Sequence, residues 1–190
     1  MNKKQVEIYN KIISKYNFNE KQKFQIGLGL QKNLKVSLYS KPNFSYEQMQ
    51  EIRLGLGQNL DVSIYTDTKY NWKQMQEIRI GLEEKLDISI YAKPEFDKYQ
   101  MTQIRYGLED NLDVTWYAKP EFSYGQMKQI RLGLINNLDV GIYVNPEFNE
   151  NQMREIRLGL EKNIDVTPYL NPTINWDEME RIRLKLESGK

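Results

Sequence analysis

The sequence predicts an all-α fold, an elongated solenoid of seven 26-residue repeats, each one longer helix plus a short helix or turn. Three observations carry this. Ile26, Ile52, Ile78, Ile104, Ile130, Ile156 and Ile182 stand 26 residues apart without a slip. Copy after copy opens on a helix-capping pattern. The second half of the sixth copy contains Pro168, which a stacked central strand would not tolerate. A repeat of this size cannot bury its own apolar face, so neighbours must stack and leave an extended surface rather than one cleft.

Residues 1–17 come first, with Val6, Tyr9, Ile13 and Tyr16 at helical spacing among lysines, the pattern of an N-terminal capping helix. The repeats follow over 18–190 as one domain. In the copy from Ser45 to Tyr70, Ser45 at the N-cap and Gln48 three residues into the helix form a capping box, each satisfying the other's free N–H. The pair recurs as Asn71/Gln74, Asp97/Gln100, Ser123/Gln126, Asn149/Gln152 and Asn175/Glu178. Phe44 and Met49 frame the box as a hydrophobic staple. Met49, Ile52, Leu56 and Leu60 continue along one helix face. Gly55 recurs as Gly29, Gly81, Gly107, Gly133 and Gly159, although a glycine inside a helix costs roughly 1 kcal/mol against alanine. Close approach of a neighbouring backbone is the expected reason. Asn59, like Asn33, Asn111, Asn137 and Asn163, suits the left-handed residue that ends a helix.

In the second half of the repeat, Asp61 is placed to cap a short helix from Val62 to Tyr65, and Pro168 fits the first turn of such a helix. Val, Ile and Tyr in this stretch also suit a strand. An α/β leucine-rich-repeat-like solenoid is therefore the alternative.

Composition removes whole classes of chemistry. The chain has no His and no Cys, which excludes disulfides, His- or Cys-based nucleophile systems and zinc fingers, and it points to no metal and no cofactor. No apolar run resembles a signal peptide or a membrane span, so a cytoplasmic protein is expected, and Lys, Asn, Ile and Tyr richness suggests an AT-rich bacterial or phage genome. With no carboxylate cluster standing apart from the repeats, catalytic residues are expected to be none. A hydrolase built on Asp, Glu, Lys or Tyr is the weakest functional reading.

Two polar rows repeat. Arg53 returns as Arg79, Arg105, Arg131, Arg157 and Arg183, and Asp61 as Asp87, Asp113, Asp139 and Asp165. The first copy has Gly27 and Lys35 in these places, so both members are lost together. Paired loss suggests an Arg–Asp bridge within the scaffold rather than a phosphate track or a metal row. Tyr39, Tyr65, Tyr91, Tyr117, Tyr143 and Tyr169 recur without exception and are expected in the core. Trp116, at a position held elsewhere by Leu38, Ile64, Ile90 and Ile142, is expected to be packed as well.

Specificity in a solenoid belongs at positions that differ between copies. The first helical residue reads Tyr46, Trp72, Lys98, Tyr124, Glu150, Trp176, which makes Tyr46, Trp72, Tyr124 and Trp176 candidate partner-binding residues. Covering the neighbouring repeat's connector is the competing role for this row. Charge is also uneven: residues 1–45 hold nine lysines and two acids, net +7, and the remainder is net −6. Lys3, Lys4, Lys11 and Lys15 make a basic end that is either a solvated cap or a contact for nucleic acid or an acidic partner.

The unit QMxEIRxGLxxNLDVSxYAKPEF, clearest from Gln74 to Phe96 and from Gln152 onward, resembles short tandem helical repeats in proteins of low-GC Gram-positive bacteria, their mobile elements and phages. The resemblance covers residues 18–190. It implies a setting in which small binding proteins inhibit host defence, including anti-CRISPR proteins that occlude a nuclease. The expected function is a non-enzymatic module that docks a protein partner along the solenoid. The alternative is an inhibitor of a defence nuclease, acting on a nucleic-acid channel or through the basic end.

Overall fold

A computed structural model describes residues 1–189, which form eight α-helices and six short 3-10 helices, with no strand among the described residues. The all-helical expectation holds, and the leucine-rich-repeat-like alternative is not realised. The chain divides into two compact units, Met1–Lys98 and Tyr99–Lys190. The first contains α1 (Lys3–Lys15), α2 (Glu20–Gln31), α3 (Tyr46–Gly57) and α4 (Trp72–Glu83), with 3-10 helices Val36–Leu38, Val62–Ile64 and Ile88–Ile90. Here α1 packs on α2, α2 on α3 and α3 on α4. The second contains α5 (Lys98–Glu109), α6 (Tyr124–Ile135), α7 (Glu150–Glu161) and α8 (Trp176–Glu187), with 3-10 helices Val114–Trp116, Val140–Ile142 and Thr167–Tyr169. In it α6 packs on α7 and α7 on α8. This succession of neighbours is the packing of an α solenoid.

The helix starts are built as the capping pattern requires. Gln48 N–H donates to Ser45 Oγ at 3.2 Å, and Ser45 N–H donates to Gln48 Oε1 at 2.8 Å. Equivalent boxes close at Asn71, Ser123 and Asn149, and also at Asn2 and Asn19. The expected Asn175/Glu178 box does not form. Asn175 makes no side-chain cap, and the Glu178 carboxylate turns outward to Arg181 at 2.9 Å. At the other end, Asn59 takes φ 58°, and Leu60 N–H reaches Gly55 O at 3.0 Å while Asn59 N–H reaches Leu56 O at 3.2 Å, a Schellman closure. Asn33, Asn111, Asn137 and Asn163 take the same conformation, as does Lys85 without the help of an asparagine side chain.

The six repeated tyrosines are the largest fully buried side chains. Each folds back on its own repeat's helix: the Tyr39 hydroxyl donates to Gln25 O at 3.1 Å and that of Tyr143 to Gln129 O at 3.2 Å. Burial pushes the Tyr39, Tyr65, Tyr117 and Tyr143 hydroxyls well above the ordinary tyrosine range, so they stay protonated donors. This contact corrects the expectation for the glycines. A Cβ at Gly55 would collide with the Tyr65 hydroxyl and stand 2.9 Å from Val62 Cγ1, so a side chain of the same repeat, not a neighbouring backbone, requires glycine there.

Repeats are joined by the capping glutamines. Gln48 Oε1 serves its own N-cap while Gln48 Nε2 donates to Tyr70 O, 22 residues on, at 2.6 Å. Gln22, Gln74, Gln126 and Gln152 do the same toward Phe44, Phe96, Phe148 and Ile174. One buried amide thus satisfies two backbone groups that would otherwise lack partners. In α8, Glu178 has no amide to donate.

Four of the six 3-10 helices are capped by aspartate. Asp61 Oδ1 accepts from Ser63 N–H at 3.0 Å and from Ser63 Oγ at 2.6 Å, and these bonds, the hydroxyl first, hold the Asp61 carboxyl below its ordinary 3.8. Asp165 is lowered in the same way by Thr167. A folded value below the unfolded one contributes stability above pH 3.8 that is lost as pH falls through the depressed value. An Asp61→Asn/Asp165→Asn chain should therefore show a flatter decline of melting temperature than the parent between about pH 5 and pH 2. Parallel acid limbs in the two melting series would refute this.

Candidate partner-binding surface

The two polar rows take partners other than those expected. Each aspartate named above accepts from the backbone N–H two residues on, as Asp87 does from Ser89 at 3.1 Å and Asp113 from Thr115 at 3.1 Å. Asp139 bonds Gly141 N–H at 3.1 Å. The arginines reach back 28 residues to the preceding helix instead: Arg53 Nε to Gln25 Oε1 at 2.8 Å, Arg79 Nε to Glu51 Oε2 at 2.8 Å, Arg131 Nε to Gln103 Oε1 at 3.2 Å and Arg157 Nε to Gln129 Oε1 at 3.0 Å. Most also hold a glutamate one turn on, as in Arg79–Glu83, Arg105–Glu109 and Arg157–Glu161. The Arg–Asp bridge is therefore corrected, and the two places changed together in the first copy belong to separate links. Gly27 faces Tyr9 of α1, where no matching glutamine or glutamate precedes it, and Lys35 leaves the Val36–Leu38 turn without a side-chain cap.

The aromatic row lies at the helix starts, where the cap fixes the first residue of each helix beside the second residue of the helix before it. Lys21 Nζ sits 4.5 Å from the Tyr46 ring centroid, which half-buries that tyrosine. Tyr99 and Tyr124 lie with ring centroids 5.5 Å apart. Glu150 folds over Gly125, which has no Cβ to hold it away. Tyr46, Tyr124 and Glu150 thus cover the preceding helix start rather than a connector, and the three largest exposed aromatics of the row stay open to solvent. Trp72 is 37% exposed, Tyr124 49% and Trp176 39%.

Other exposed aromatics were missed by the sequence reading. Trp116 is 41% exposed rather than packed, because it occupies the outer position of a 3-10 helix, where Ile64 is equally exposed. Its ring leans over Gly141 of the next repeat. Tyr106 lies between the Arg105 and Arg131 guanidiniums, 4.7 and 5.4 Å from its ring centroid. Phe24 projects from α2 at a position that is polar in every later copy. Each of these is an aromatic substitution at a varied place in the repeat, a signal present in the copies themselves.

The four lysines of the basic end do not act as one group. All are exposed on α1, but Lys11 and Lys15 line one recess with Lys41, while Lys4 lines another beside Asn33, and Lys3 lines neither. Among the described residues no group of three or more acidic side chains is placed to hold a metal ion, and no helix is long and apolar enough to cross a membrane.

Fold and surface define an α-helical tandem-repeat protein whose copies share a buried frame and differ at the helix starts. Compared with known proteins, the chain matches no family model, no curated protein and no solved structure.

Proposed function

We propose that this chain is a non-enzymatic repeat module that binds a protein partner along its helix starts, with Trp72, Tyr124 and Trp176 as anchors. One observation carries the reading. Helix α7 closes a complete capping box with Glu150 in the first helical position, so the frame has no need of an aromatic residue there. Large, rigid, solvent-facing Trp and Tyr side chains that the stack does not require are the usual source of interface energy.

A basic channel of a nucleic-acid enzyme is the second partner class. Exposed Glu150 in the row itself, with exposed Glu121 and Glu147 two residues before the caps of α6 and α7, favours it, since carboxylates near aromatic anchors complement a phosphate-binding surface. Affinity capture from the host cell tests both. The parent chain should retain a partner that a Trp72→Ala/Trp176→Ala chain loses by about tenfold or more, with far-UV helicity unchanged. Loss of capture with rising salt would assign the partner to the second class. An identical partner list for parent and variant would sink the aromatic row.

A further inference from the structure

Between α1 and the first 3-10 helix lies a recess of about 310 Å³. Lys11 and Lys15, one helical turn apart, line it from one side and Lys41 from the other, with Ser37, Ser40, Ile12 and Tyr16 completing the wall. No acid lines it. Glu20, one of only two acids in residues 1–45, is held by Lys23 at 2.7 Å. None of the three lysines has a carboxylate partner among the described residues; Lys15 Nζ rests 5.1 Å from the Tyr16 ring and Lys41 Nζ 5.7 Å from that of Phe44. Lysines on two sides of a recess that no acid lines make it electropositive, which favours an anion there.

The serines point the same way. Ser40 is largely buried, but its hydroxyl is open at the recess and makes no hydrogen bond within the protein, whereas Thr66 at the same place in the next repeat donates to Val62 O at 2.5 Å. Comparison of the copies adds an independent argument. Lys35 stands where later repeats carry Asp61, Asp87, Asp113, Asp139 and Asp165, and Asn43 where three of them carry Glu95, Glu121 and Glu147. The first exchange costs the Val36–Leu38 turn its side-chain cap, so packing does not demand it. The first repeat thus carries no acid at two places where later copies do.

We propose that this recess binds the phosphate of a nucleotide. Lys11, Lys15 and Lys41 neutralise the phosphate, the Ser37 and Ser40 hydroxyls donate to its oxygens, and Ile12 with the Tyr16 ring gives the base an apolar wall. The volume is at the lower end of ligand sites, ~300 Å³ and upward, and suits one nucleotide rather than a duplex. A free mononucleotide and the terminal nucleotide of a single strand share this chemistry. The site is separate from the helix-start row and does not depend on that row's role.

Calorimetric titration of the full chain tests it with four probes: AMP, adenosine, a short oligothymidine with a 5′-phosphate, and the same strand without it. Phosphate-bearing probes should bind and their phosphate-free counterparts should not. Binding of AMP identifies a free nucleotide, and binding of the phosphorylated strand alone identifies a strand end. Lys11→Gln/Lys15→Gln and Lys41→Gln should each weaken binding by about tenfold or more, while Lys3→Gln/Lys32→Gln, a matched charge loss outside the recess, should not. All five positions are exposed, and far-UV spectra monitor the fold. No binding of any probe, equal binding of adenosine and AMP, or the same loss in the control variant would overturn the proposal.

Discussion

Gly81→Ala should destabilise the protein by about 2 to 4 kcal/mol, although helix propensity alone would make it stabilising by roughly 1 kcal/mol. The added Cβ would collide with the Tyr91 hydroxyl, 3.1 Å from its Cζ and 2.9 Å from Ile88 Cγ2. Tyr91 is fully buried, so its ring has nowhere to retreat. Gly57 is the internal control: it closes the same kind of helix, but nothing lies within 4 Å of a Cβ there. Gly57→Ala should be neutral or stabilising by up to about 1 kcal/mol. Urea unfolding of both variants decides the matter, and a Gly81→Ala chain as stable as the parent would refute the tyrosine–glycine contact. Tyr91→Phe in the Gly81→Ala background should recover only part of the loss, because the hydroxyl conflict goes while the Cζ and Ile88 contacts remain.

Gln74→Glu should be the second most damaging change, by about 2 to 4 kcal/mol near neutral pH. Gln74 Nε2 donates to Phe96 O at 2.7 Å and to Pro94 O at 3.1 Å, and the side chain is buried. A carboxylate there would aim negative charge at two carbonyl oxygens. Protonation would relieve this, so the variant's folded pKa lies above the ordinary Glu value of about 4.3. The sign follows. Its stability relative to the parent is best below the unfolded pKa and is lost as pH rises through the folded one. Paired melts at pH 4 and pH 7 should show the gap widening toward pH 7 (about 4 and about 7 spanning the expected window); a gap independent of pH would show that the lost amide, not the charge, dominates.

Much of this frame was legible because single residues have single local jobs. Ser45 with Gln48 announced a helix start, Asn59 a left-handed end, and Asp61 with Pro168 a short helical turn, all of which depend on neighbours within a few residues. What was misread depended on partners a repeat away. Arg79 pairs with Glu51, but the matching place is Gln25 in one copy and Gln103 in another, so charge pattern alone could not reveal it, and Asp61, which recurs in each copy to Asp165, drew attention instead. The glycine row was recognised as costly but assigned to the wrong neighbour, because the closing tyrosine sits ten residues on in the same copy. The candidate surface was half visible. Trp72 and Trp176 stood out at a varied place, whereas Trp116 was hidden by its aliphatic counterparts, whose own exposure the repeat pattern does not reveal. Lys41 was separated from Lys11 and Lys15 by a whole helix, and only the fold brings the three together.

The glutamine bridges bear on how such a chain changes length. Gln48 reaches a carbonyl 22 residues ahead, and Arg79 an acceptor 28 residues behind. Both links have a fixed reach of one hydrogen bond. A single residue inserted between Gln48 and Tyr70 would move the carbonyl out of range and disturb the arginine link that spans the insertion, while later links keep their spacing. Duplication or deletion of 26 residues would leave each link intact. Growth and shrinkage are thereby quantised: variation in size comes in whole copies, and variation in surface comes only by substitution.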